Sequence, residues 1–419
     1  MKSTRALAAA VAVAVILAAC GGDGHPVRPD TDGSIRGTVT DHTGATVPNA
    51  AVALSGNAQP DRTTNSGPTG VYTFVDVPPG TYTLTVTPPS GFTIAATGGV
   101  SVTVASGAQA NAAAIVLDRD GVGVWEQRAG LLVANSEFAL AESNGKIYVM
   151  GGYPASRQTS RTVQVYDIAS DRWQLGPELP QPNNHGMAAA VNGKVYLIGG
   201  QFTDDQEGAT ALNAVYELDP ATGTWAEKAR MPTARSGGVA VVHDGKIYVA
   251  GGRVPRGHDF AVYDPAADRW EVLPNLPSQR NHITGAAING RIHIVGGRLG
   301  NGLSPLKSDA NEVFDPATRA WTTAAPMLSG RSGMNGVVAK GCFHVWGGEA
   351  PTGMTPQHEY YDPRTDQWSS LPNMPIPIHG VVGSAFVDGL IWVTGGGTAV
   401  GGASGSLYNQ AYRPAVSCE

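Results

Sequence analysis

A six-fold recurrence of glycine pairs constrains the fold of this chain more than any other feature. Each pair ends an apolar run, and the pairs recur at intervals of 45 to 52 residues: Gly151-Gly152, Gly199-Gly200, Gly251-Gly252, Gly296-Gly297, Gly347-Gly348 and Gly395-Gly396. Tryptophans recur in step with them: Trp125, Trp173, Trp225, Trp270, Trp321 and Trp368. A period of this length with many turn signals predicts six four-stranded β-sheets stacked around an axis.

Turn signals inside the repeats support this interpretation. Asn-Gly or Asp-Gly pairs at 192–193, 244–245 and 289–290 separate two apolar runs and predict two-residue hairpin turns. An Asp stands six residues before five of the tryptophans, where its side chain is expected to cap the following turn. These residues are Asp167, Asp219, Asp264, Asp315 and Asp362.

The order of these signals, from the Asn/Asp-Gly turn through the glycine pair and the Asp to the Trp, resembles the kelch repeat over residues 120–414. The resemblance implies an all-β fold with a six-bladed kelch propeller at residues 119–419. The last repeat has no Trp strand after Gly395-Gly396, whereas Trp125 precedes the first pair. We therefore expect the N-terminal strand around Trp125 to complete the last blade and close the ring, which removes an exposed sheet edge.

A separate β-rich segment precedes the repeats. Residues 34–118 alternate apolar and polar side chains between regular turns and predict a small β-sandwich. The patterns Gly37-x-Val39-x-Asp41, Gly70-x-Tyr72-x-Phe74 and Pro78-Pro79-Gly80 resemble the carboxypeptidase-regulatory-like, or prealbumin-like, domain. The resemblance implies a spacer or adhesive element without catalytic residues.

The N-terminus predicts export and lipid anchoring. Lys2 and Arg5 precede a short apolar run, and Leu-Ala-Ala-Cys at 17–20 resembles the bacterial lipobox. The resemblance implies a signal peptide at 1–19, lipidation of Cys20 and a Pro/Gly-rich tether at 20–33. Gly21 lacks the acidic character of an inner-membrane retention signal, which favours the outer membrane. The net charge is −6 without a basic cluster, so we expect no nucleic-acid partner.

Two further cysteines, Cys342 and Cys418, leave two alternatives open: one disulfide in an oxidising compartment or two free thiols. Cys342 takes the position held by Lys146, Lys194 and Lys246 in other repeats, which we expect to point outward. No Cys-x-x-Cys pair is present, so a zinc or redox motif is not predicted.

Loops at one end of a propeller surround a central funnel, which is the expected binding site. Two sets of residues are candidates, and both are rich in Arg and His, which suits a carboxylate, a sulfate, an acidic sugar or a peptide. The first set begins the inner strands: Arg235, Arg280, Arg331 and His379, with Glu137, His185 and His282 two positions further in. The second directly follows the glycine pairs: Tyr153, Gln201, Arg253, Arg298 and Glu349.

Alternatives to this site remain open. An Arg at the start of an inner strand belongs to the kelch pattern and can simply tether a neighbouring blade. His185, His282 and His379 lie on alternate blades and could surround a metal, but His379 is offset and no His-Glu-x-x-His spacing is present. We therefore predict no metal and no cofactor.

The leading functional hypothesis is a surface-displayed binding or scaffold protein whose ligand is a peptide, a protein loop or a glycan. The alternative is an exported sugar mutarotase or epimerase. Exported six-bladed kelch proteins include sialic-acid mutarotases, which pair a Glu with an Arg for acid/base ring opening. Glu137, Glu349 and the funnel arginines could supply such groups. A third hypothesis is a structural role in envelope assembly. The fold does not choose between these.

Overall fold

The structure is a computed structural model that describes residues 31–41, 44–57, 59–94, 99–119, 123–204, 209–302, 304, 306–402 and 404–419. The predicted signal peptide, Cys20 and most of the tether lie outside these residues. The described residues form 36 strands and no α-helix, which confirms the all-β fold class. No segment of them is a helix of the length and apolarity needed to span a membrane.

The first nine strands form two packed sheets. They are β1 (Gly33–Asp41), β2 (Ala51–Gly56), β3 (Gln59–Asn65), β4 (Val71–Val77), β5 (Gly80–Thr87), β6 (Phe92–Ile94), β7 (Val100–Val104), β8 (Gln109–Asn111) and β9 (Ile115–Arg119). One sheet has the order β4-β1-β9-β6 with β8 beside β1, and the other has the order β3-β2-β5-β7. Alternate side chains such as Ile35, Val52 and Tyr72 meet in one core, as expected for a sandwich.

The remaining strands form six antiparallel sheets, numbered here along the chain. Sheet one contains β11 (Phe138–Ser143), β12 (Lys146–Met150), β13 (Val163–Asp167) and β14 (Arg172–Leu175). Sheet two contains β15 (Met187–Val191), β16 (Lys194–Ile198), β17 (Val215–Asp219) and β18 (Thr224–Lys228). Sheet three contains β19 (Val239–His243), β20 (Lys246–Ala250), β21 (Phe260–Asp264) and β22 (Arg269–Val272).

Sheets four to six repeat the pattern. Sheet four contains β23 (Thr284–Ile288), β24 (Arg291–Val295), β25 (Asn311–Asp315) and β26 (Ala320–Ala324). Sheet five contains β27 (Asn335–Ala339), β28 (Cys342–Trp346), β31 (His358–Asp362) and β32 (Gln367–Leu371). Sheet six contains β34 (Ala385–Val387), β35 (Leu390–Thr394), β36 (Asn409–Arg413) and β10 (Val124–Gln127). Between them lie the hairpin β29 (Glu349–Ala350) and β30 (Gly353–Met354), and β33 (Val381–Val382), which pairs with β11.

The first strand of each sheet lines a central channel. Neighbouring inner strands contact one another in the order β11, β15, β19, β23, β27 and β34, and the parallel pairing of β33 with β11 completes the circuit. Small residues such as Ala189, Ala240 and Gly336 line a channel cavity of about 330 Å³. The circuit places one end of every inner strand at the same end of the axis.

The local signals seen in the sequence act as predicted. Asn192 and Gly193 have φ values of 51° and 75°, so both turn residues are left-handed, as a type I′ hairpin requires. The Asp219 carboxylate accepts the Ala221 N–H at 3.0 Å and caps the following turn. Gly199 has a φ of 61°, and a Cβ there would lie 2.5 Å from the Arg235 carbonyl oxygen. The glycine pairs therefore shape the strand ends.

The tryptophans fasten adjacent sheets together. Five indole N–H groups donate, over 2.8 to 3.1 Å, to a carbonyl in the segment that follows the preceding sheet: Trp173 to Ala129, Trp225 to Pro177, Trp270 to Ala229, Trp321 to Pro274 and Trp368 to Ala325. The Trp125 strand pairs with β36, and Trp125 lies opposite Tyr412. Its indole nitrogen has no hydrogen-bond partner among the described residues. The junction between sheets five and six therefore differs from the other five junctions, where a Trp indole donates to a neighbouring carbonyl.

The C-terminal tail fastens this sixth junction. Cys418 forms a disulfide with Cys342, with an S–S distance of 2.02 Å. The Cys418 N–H donates to the Lys340 carbonyl at 2.8 Å, and the Lys340 ammonium donates to the Pro414 carbonyl at 2.7 Å. Of the two alternatives for the cysteines, the structure has the disulfide, and Cys342 is fully buried because this tail covers it.

Candidate functional site

Six residues, one preceding the inner strand of each sheet, form a closed ring of backbone hydrogen bonds. Each N–H donates to the carbonyl of its counterpart in the preceding sheet over 2.5 to 3.1 Å: His185 to Glu137, Gly237 to His185, His282 to Gly237, Gly333 to His282, Gly380 to Gly333 and Glu137 to Gly380. All six have positive φ values between 50° and 69°. The ring therefore requires a left-handed backbone at each member.

Three members of the ring are not glycine. Glu137, His185 and His282 have φ values of 54°, 50° and 53°, a conformation that costs an L-residue with a Cβ roughly 1–2 kcal/mol. All three side chains are ionisable and buried. Strain that is kept at several buried ionisable groups is typical of a functional site.

These three side chains meet in a cavity of about 170 Å³, called the funnel cavity below. It is bounded by residues from the ring, from the positions after the glycine pairs and from the loop of sheet six. They are Glu137, Tyr153, Arg157, His185, Arg253, His282, Arg298, Glu349, Gly401 and Gly402. The structure therefore brings most of the predicted funnel residues together.

Two equivalent hydrogen-bonded units hold the arginines of this cavity. Relay A is Asn184, His185 and Arg253, and relay B is Asn281, His282 and Arg298. In each relay the imidazole Nδ1 lies 2.6 Å from the Asn Oδ1, and Nε2 lies 3.0 Å from an Arg Nη2. Both guanidinium groups are thus buried, oriented and directed at one space.

The two relay imidazoles are neutral. Burial lowers the pKa of His185 by more than the Glu137 carboxylate raises it. Burial also lowers the pKa of His282, and the neighbouring Arg298 cation takes it well below the ordinary range. A neutral imidazole offers one nitrogen lone pair, which each relay directs at an arginine.

His379 behaves differently because it lies between two carboxylates. Its Nε2 is 3.4 Å from Glu137 Oε1 and 3.4 Å from Glu349 Oε2, while Nδ1 faces the Gly397 carbonyl at 3.1 Å. Burial lowers the pKa of His379, but the Glu137 and Glu349 carboxylates raise it above its ordinary value. His379 is thus the imidazole whose protonated form these carboxylates stabilise.

The cavity favours an anion over a metal ion. Ligand atoms of Glu137, His185 and His282 lie within 4.8 Å of one another, which is close enough to surround a cation. The Nε2 atoms of both histidines, however, already accept hydrogen bonds from Arg253 and Arg298, and a cation there would face two buried positive charges. Arg253 and Arg298 balance the charges of Glu137 and Glu349, and protonation of His379 adds one positive charge.

The rim of the cavity contains an ion pair and a glycine-rich loop. The Arg157 guanidinium donates to the Asp204 carboxylate at 2.7 Å, and the Tyr153 hydroxyl donates to the same group at 3.1 Å. The Gly401 N–H donates to Glu349 Oε2 at 2.8 Å. A Cβ on Gly402 would lie 3.0 Å from the Tyr153 ring, so small residues are needed where this loop covers the cavity.

The prediction that Arg235, Arg280 and Arg331 face the funnel is wrong. All three are fully buried, and none bounds the funnel cavity. Their guanidinium groups satisfy carbonyls and carboxylates of their own sheets: Arg235 the Val249 and Asp259 carbonyls, Arg280 the Gly296 carbonyl and Glu312, and Arg331 the Val345 carbonyl and Glu359. These arginines therefore stabilise their own sheets, whereas the alternative prediction was that each of them tethers a neighbouring blade.

Gln201 also lies outside the cavity, because its amide oxygen accepts from the Ser236 hydroxyl and its nitrogen donates to the Thr203 carbonyl. The sequence reasoning missed Arg157, Gly401 and Gly402, which reach the cavity only through loop geometry. It also missed the two asparagines of the relays. Their signal was visible in the sequence, since an Asn-His pair occurs at both 184–185 and 281–282.

Family comparisons match both parts of the chain. A profile described as the carboxypeptidase regulatory-like domain matches residues 34–117. A profile described as the KLHDC2/KLHL20/DRC7 Kelch-repeats domain matches residues 132–297, and Kelch motif profiles match 279–328 and 359–375. The three Kelch matches all lie within the six-sheet region.

Relatives of known name share the repeats. Kelch-like protein terF of Aspergillus terreus is 31% identical over 65% of this chain and 63% of its own length. Kelch-like protein 34 of Homo sapiens is 32% identical over 31% of this chain and 20% of its own length. Alpha-scruin of Limulus polyphemus is 28% identical over 31% of this chain and 14% of its own length. The chain thus spans less than two thirds of each of these relatives.

The solved structure of YjhT is similar to this chain with a TM-score of 0.57 and 16% identity, over 67% of this chain and 95% of that one. At this identity the similarity supports the fold alone. The chain therefore carries a carboxypeptidase regulatory-like domain and Kelch-repeat domains on an all-β fold.

Proposed function

We propose that this protein is an envelope-anchored binding protein whose six-bladed propeller binds a carboxylate in the funnel cavity, presented by a peptide, a protein loop or an acidic glycan. Residues 1–19 would be the signal peptide, Cys20 the lipid anchor, 20–33 the tether, 34–118 the spacer and 119–419 the propeller. Outer-membrane anchoring is part of this proposal. Kelch-repeat propellers commonly serve as protein-interaction scaffolds, which supports a protein partner.

The observation that carries the proposal is the pair of buried guanidinium groups directed at one cavity. The Arg253 and Arg298 side chains are both 3% exposed, so their desolvation has to be offset by hydrogen bonds. Each is bonded to a neutral imidazole, and Arg298 also donates to Glu349 at 2.9 Å. When His379 is protonated one net positive charge remains, which a bound carboxylate would neutralise through charge-assisted hydrogen bonds.

The disulfide between Cys342 and Cys418 supports the proposed export, because such bonds persist mainly in oxidising compartments. Labelling with a radioactive fatty acid tests the anchor. We expect label on the wild-type protein and none on Cys20→Ser, and equal labelling of both would contradict lipidation of Cys20.

Arrays of acidic peptides and acidic glycans test the binding proposal. We expect a set of carboxylate-bearing ligands that the wild-type protein binds and that Arg298→Gln binds at least about tenfold more weakly, the loss expected for a buried charged hydrogen bond. Arg319→Gln is the matched control, because Arg319 pairs with Glu271 on the exposed outer strands. Equal binding by all three proteins, or binding independent of the carboxylate, would contradict the proposal.

A second function, acid/base isomerisation of an acidic sugar, is favoured by one observation. The Glu137 carboxylate lies 3.1 Å from His185 Nε2 and 3.4 Å from His379 Nε2, and the pKa values of these two imidazoles are shifted in opposite directions. Groups whose pKa values are pushed apart are suited to act as acid and base at one pH. Faster equilibration of N-acetylneuraminate anomers, followed by NMR and lost in Glu137→Gln, would support it. No acceleration by the wild-type protein would exclude it for this sugar.

A further inference from the structure

The two relays repeat the same chemistry with residues from different sheets. In relay A, Asn184 and His185 come from the segment before sheet two, while Arg253 follows the glycine pair of sheet three. In relay B, Asn281, His282 and Arg298 all belong to sheet four. The same Asn-His order and the same distances occur in both, so the arrangement is selected twice within one cavity.

The asparagine amides have only one orientation that satisfies their surroundings. The Asn184 Nδ2 donates to the Thr203 carbonyl at 3.0 Å and the Thr159 hydroxyl at 2.8 Å, which leaves Oδ1 against His185. Reversal would bring Oδ1 against the Thr203 carbonyl, an unfavourable contact between two acceptors. The Asn184 Oδ1 therefore faces the imidazole and accepts its hydrogen.

Relay B is fixed in the same way. The Asn281 Nδ2 donates to the Gly300 carbonyl at 2.7 Å and the Arg298 carbonyl at 3.4 Å. Both partners are carbonyl oxygens, which can only accept. The Asn281 Oδ1 must therefore accept from the Nδ1–H of His282.

We propose that Asn184 and Asn281 are positioning residues, which hold His185 and His282 in the Nδ1-protonated tautomer and so direct each Nε2 lone pair at a guanidinium. An imidazole protonated on Nε2 would point an N–H at the N–H of the arginine and push it away. The asparagines thus fix the two arginines that would bind the carboxylate, and in this respect the inference rests on the proposed function. They do not touch the ligand themselves.

The same tautomer of His185 determines whether Glu137 Oε2 can accept a hydrogen bond from it. Its Oε2 lies 3.1 Å from His185 Nε2, yet it accepts no hydrogen bond among the described residues. A His185 that carries its hydrogen on Nδ1 has none to offer to this oxygen. The buried oxygen is left available for a hydrogen-bond donor on the ligand.

Nitrogen-15 NMR of the protein labelled only on histidine tests the tautomer directly. At pH 8, where His185 and His282 are neutral, we expect both to show protonated Nδ1 and unprotonated Nε2. The variants Asn184→Leu and Asn184→Asp both lose the donor to Thr203, but only Asn184→Asp keeps an oxygen acceptor for His185. We expect Asn184→Leu to lose the Nδ1–H signature and Asn184→Asp to keep it.

Binding of trifluoroacetate, followed by fluorine NMR, gives the second readout. We expect about tenfold weaker binding of trifluoroacetate in Asn184→Leu than in the wild type, as for one lost buried hydrogen bond. Asn281→Leu repeats the test in relay B if Asn184→Leu does not fold. Protonated Nε2 on these histidines in the wild type, or wild-type affinity for trifluoroacetate in Asn184→Leu, would overturn the inference. Absence of trifluoroacetate binding in the wild type would instead contradict the proposed function, and the nitrogen spectra would still decide the tautomer.

Discussion

Replacing Arg280 separates a residue that holds the fold from one that binds a ligand. Arg280 is fully buried, and its guanidinium lies 2.6 Å from Glu312 Oε2. It also donates to the Gly296 carbonyl at 2.7 Å. The structure therefore predicts that Arg280→Met lowers the free energy of unfolding and leaves the carboxylate affinity of the folded protein unchanged.

The expected loss in the free energy of unfolding follows from the contacts that Glu312, the partner of Arg280, retains. Without Arg280, the buried Glu312 carboxylate keeps only the Ser278 hydroxyl at 2.5 Å. Breaking a buried ion pair in this way costs about 3–5 kcal/mol. At roughly 2–4 °C of midpoint for each kcal/mol in a domain of this size class, the melting temperature should fall by about 10 °C.

The double variant Arg280→Met with Glu312→Gln provides the control. It removes both charges together, so we expect it to recover part of the loss, because replacing a whole buried pair is far less costly than breaking it. Thermal unfolding followed by circular dichroism measures all three proteins. A weakened carboxylate affinity in Arg280→Met with an unchanged melting temperature would refute the assignment of Arg280 to the fold.

Three other predictions concern stability. Reducing or replacing Cys342 and Cys418 removes a cross-link between residues that are 76 apart in sequence. The free energy of unfolding in urea should fall by roughly 4 kcal/mol, because the unfolded chain gains entropy. An unchanged urea midpoint would contradict a stabilising role for the tail. Burial lowers the pKa of His344 to about 3, so the folded protein keeps this imidazole neutral while the unfolded chain protonates it below about pH 6.5. The free energy of unfolding should therefore fall by about 2 kcal/mol by pH 5. His344→Phe should show a smaller loss of stability between pH 7 and 5 than the wild type. In Gly380→Ala, at a φ of 69°, the new Cβ would lie 2.6 Å from Glu137 Oε1. We expect at least about 1 kcal/mol of destabilisation and weaker ligand binding. Gly389→Ala is the control, because Gly389 lies in a hairpin turn with open space around it and its replacement should affect stability alone.

Much of the fold could be predicted because its signals are local and repeated. The Gly199-Gly200 conformation, the turn at Asn192-Gly193 and the Asp219 cap each depend on a few neighbouring residues. The pairing of the Trp125 strand with β36 could be predicted because one repeat lacked its last strand and one strand lacked a repeat. Local rules and the count of repeats were sufficient for these features.

The site was harder to predict because side-chain direction depends on the ring. Arg235 lies near the start of an inner strand and Arg253 follows a glycine pair, and both positions were expected to face the funnel. In the structure the Arg235 side chain lies within its own sheet, whereas Arg253 bounds the cavity. The contact of Glu137 with His379 joins the first and last repeats, so no local pattern reports it. The burial of Cys342 depends on the C-terminal tail that covers it. Such contacts arise only when the ring has closed.

The central claim is that Arg253 and Arg298 together bind a carboxylate in the funnel cavity. Fluorine NMR of trifluoroacetate tests it most directly, because this probe is small enough to enter a space of about 170 Å³ and consists of little beyond the carboxylate. We predict saturable line broadening with the wild-type protein and with Arg319→Gln, and its loss in the double variant Arg253→Gln with Arg298→Gln. Equal broadening by the double variant and the wild type would contradict the claim.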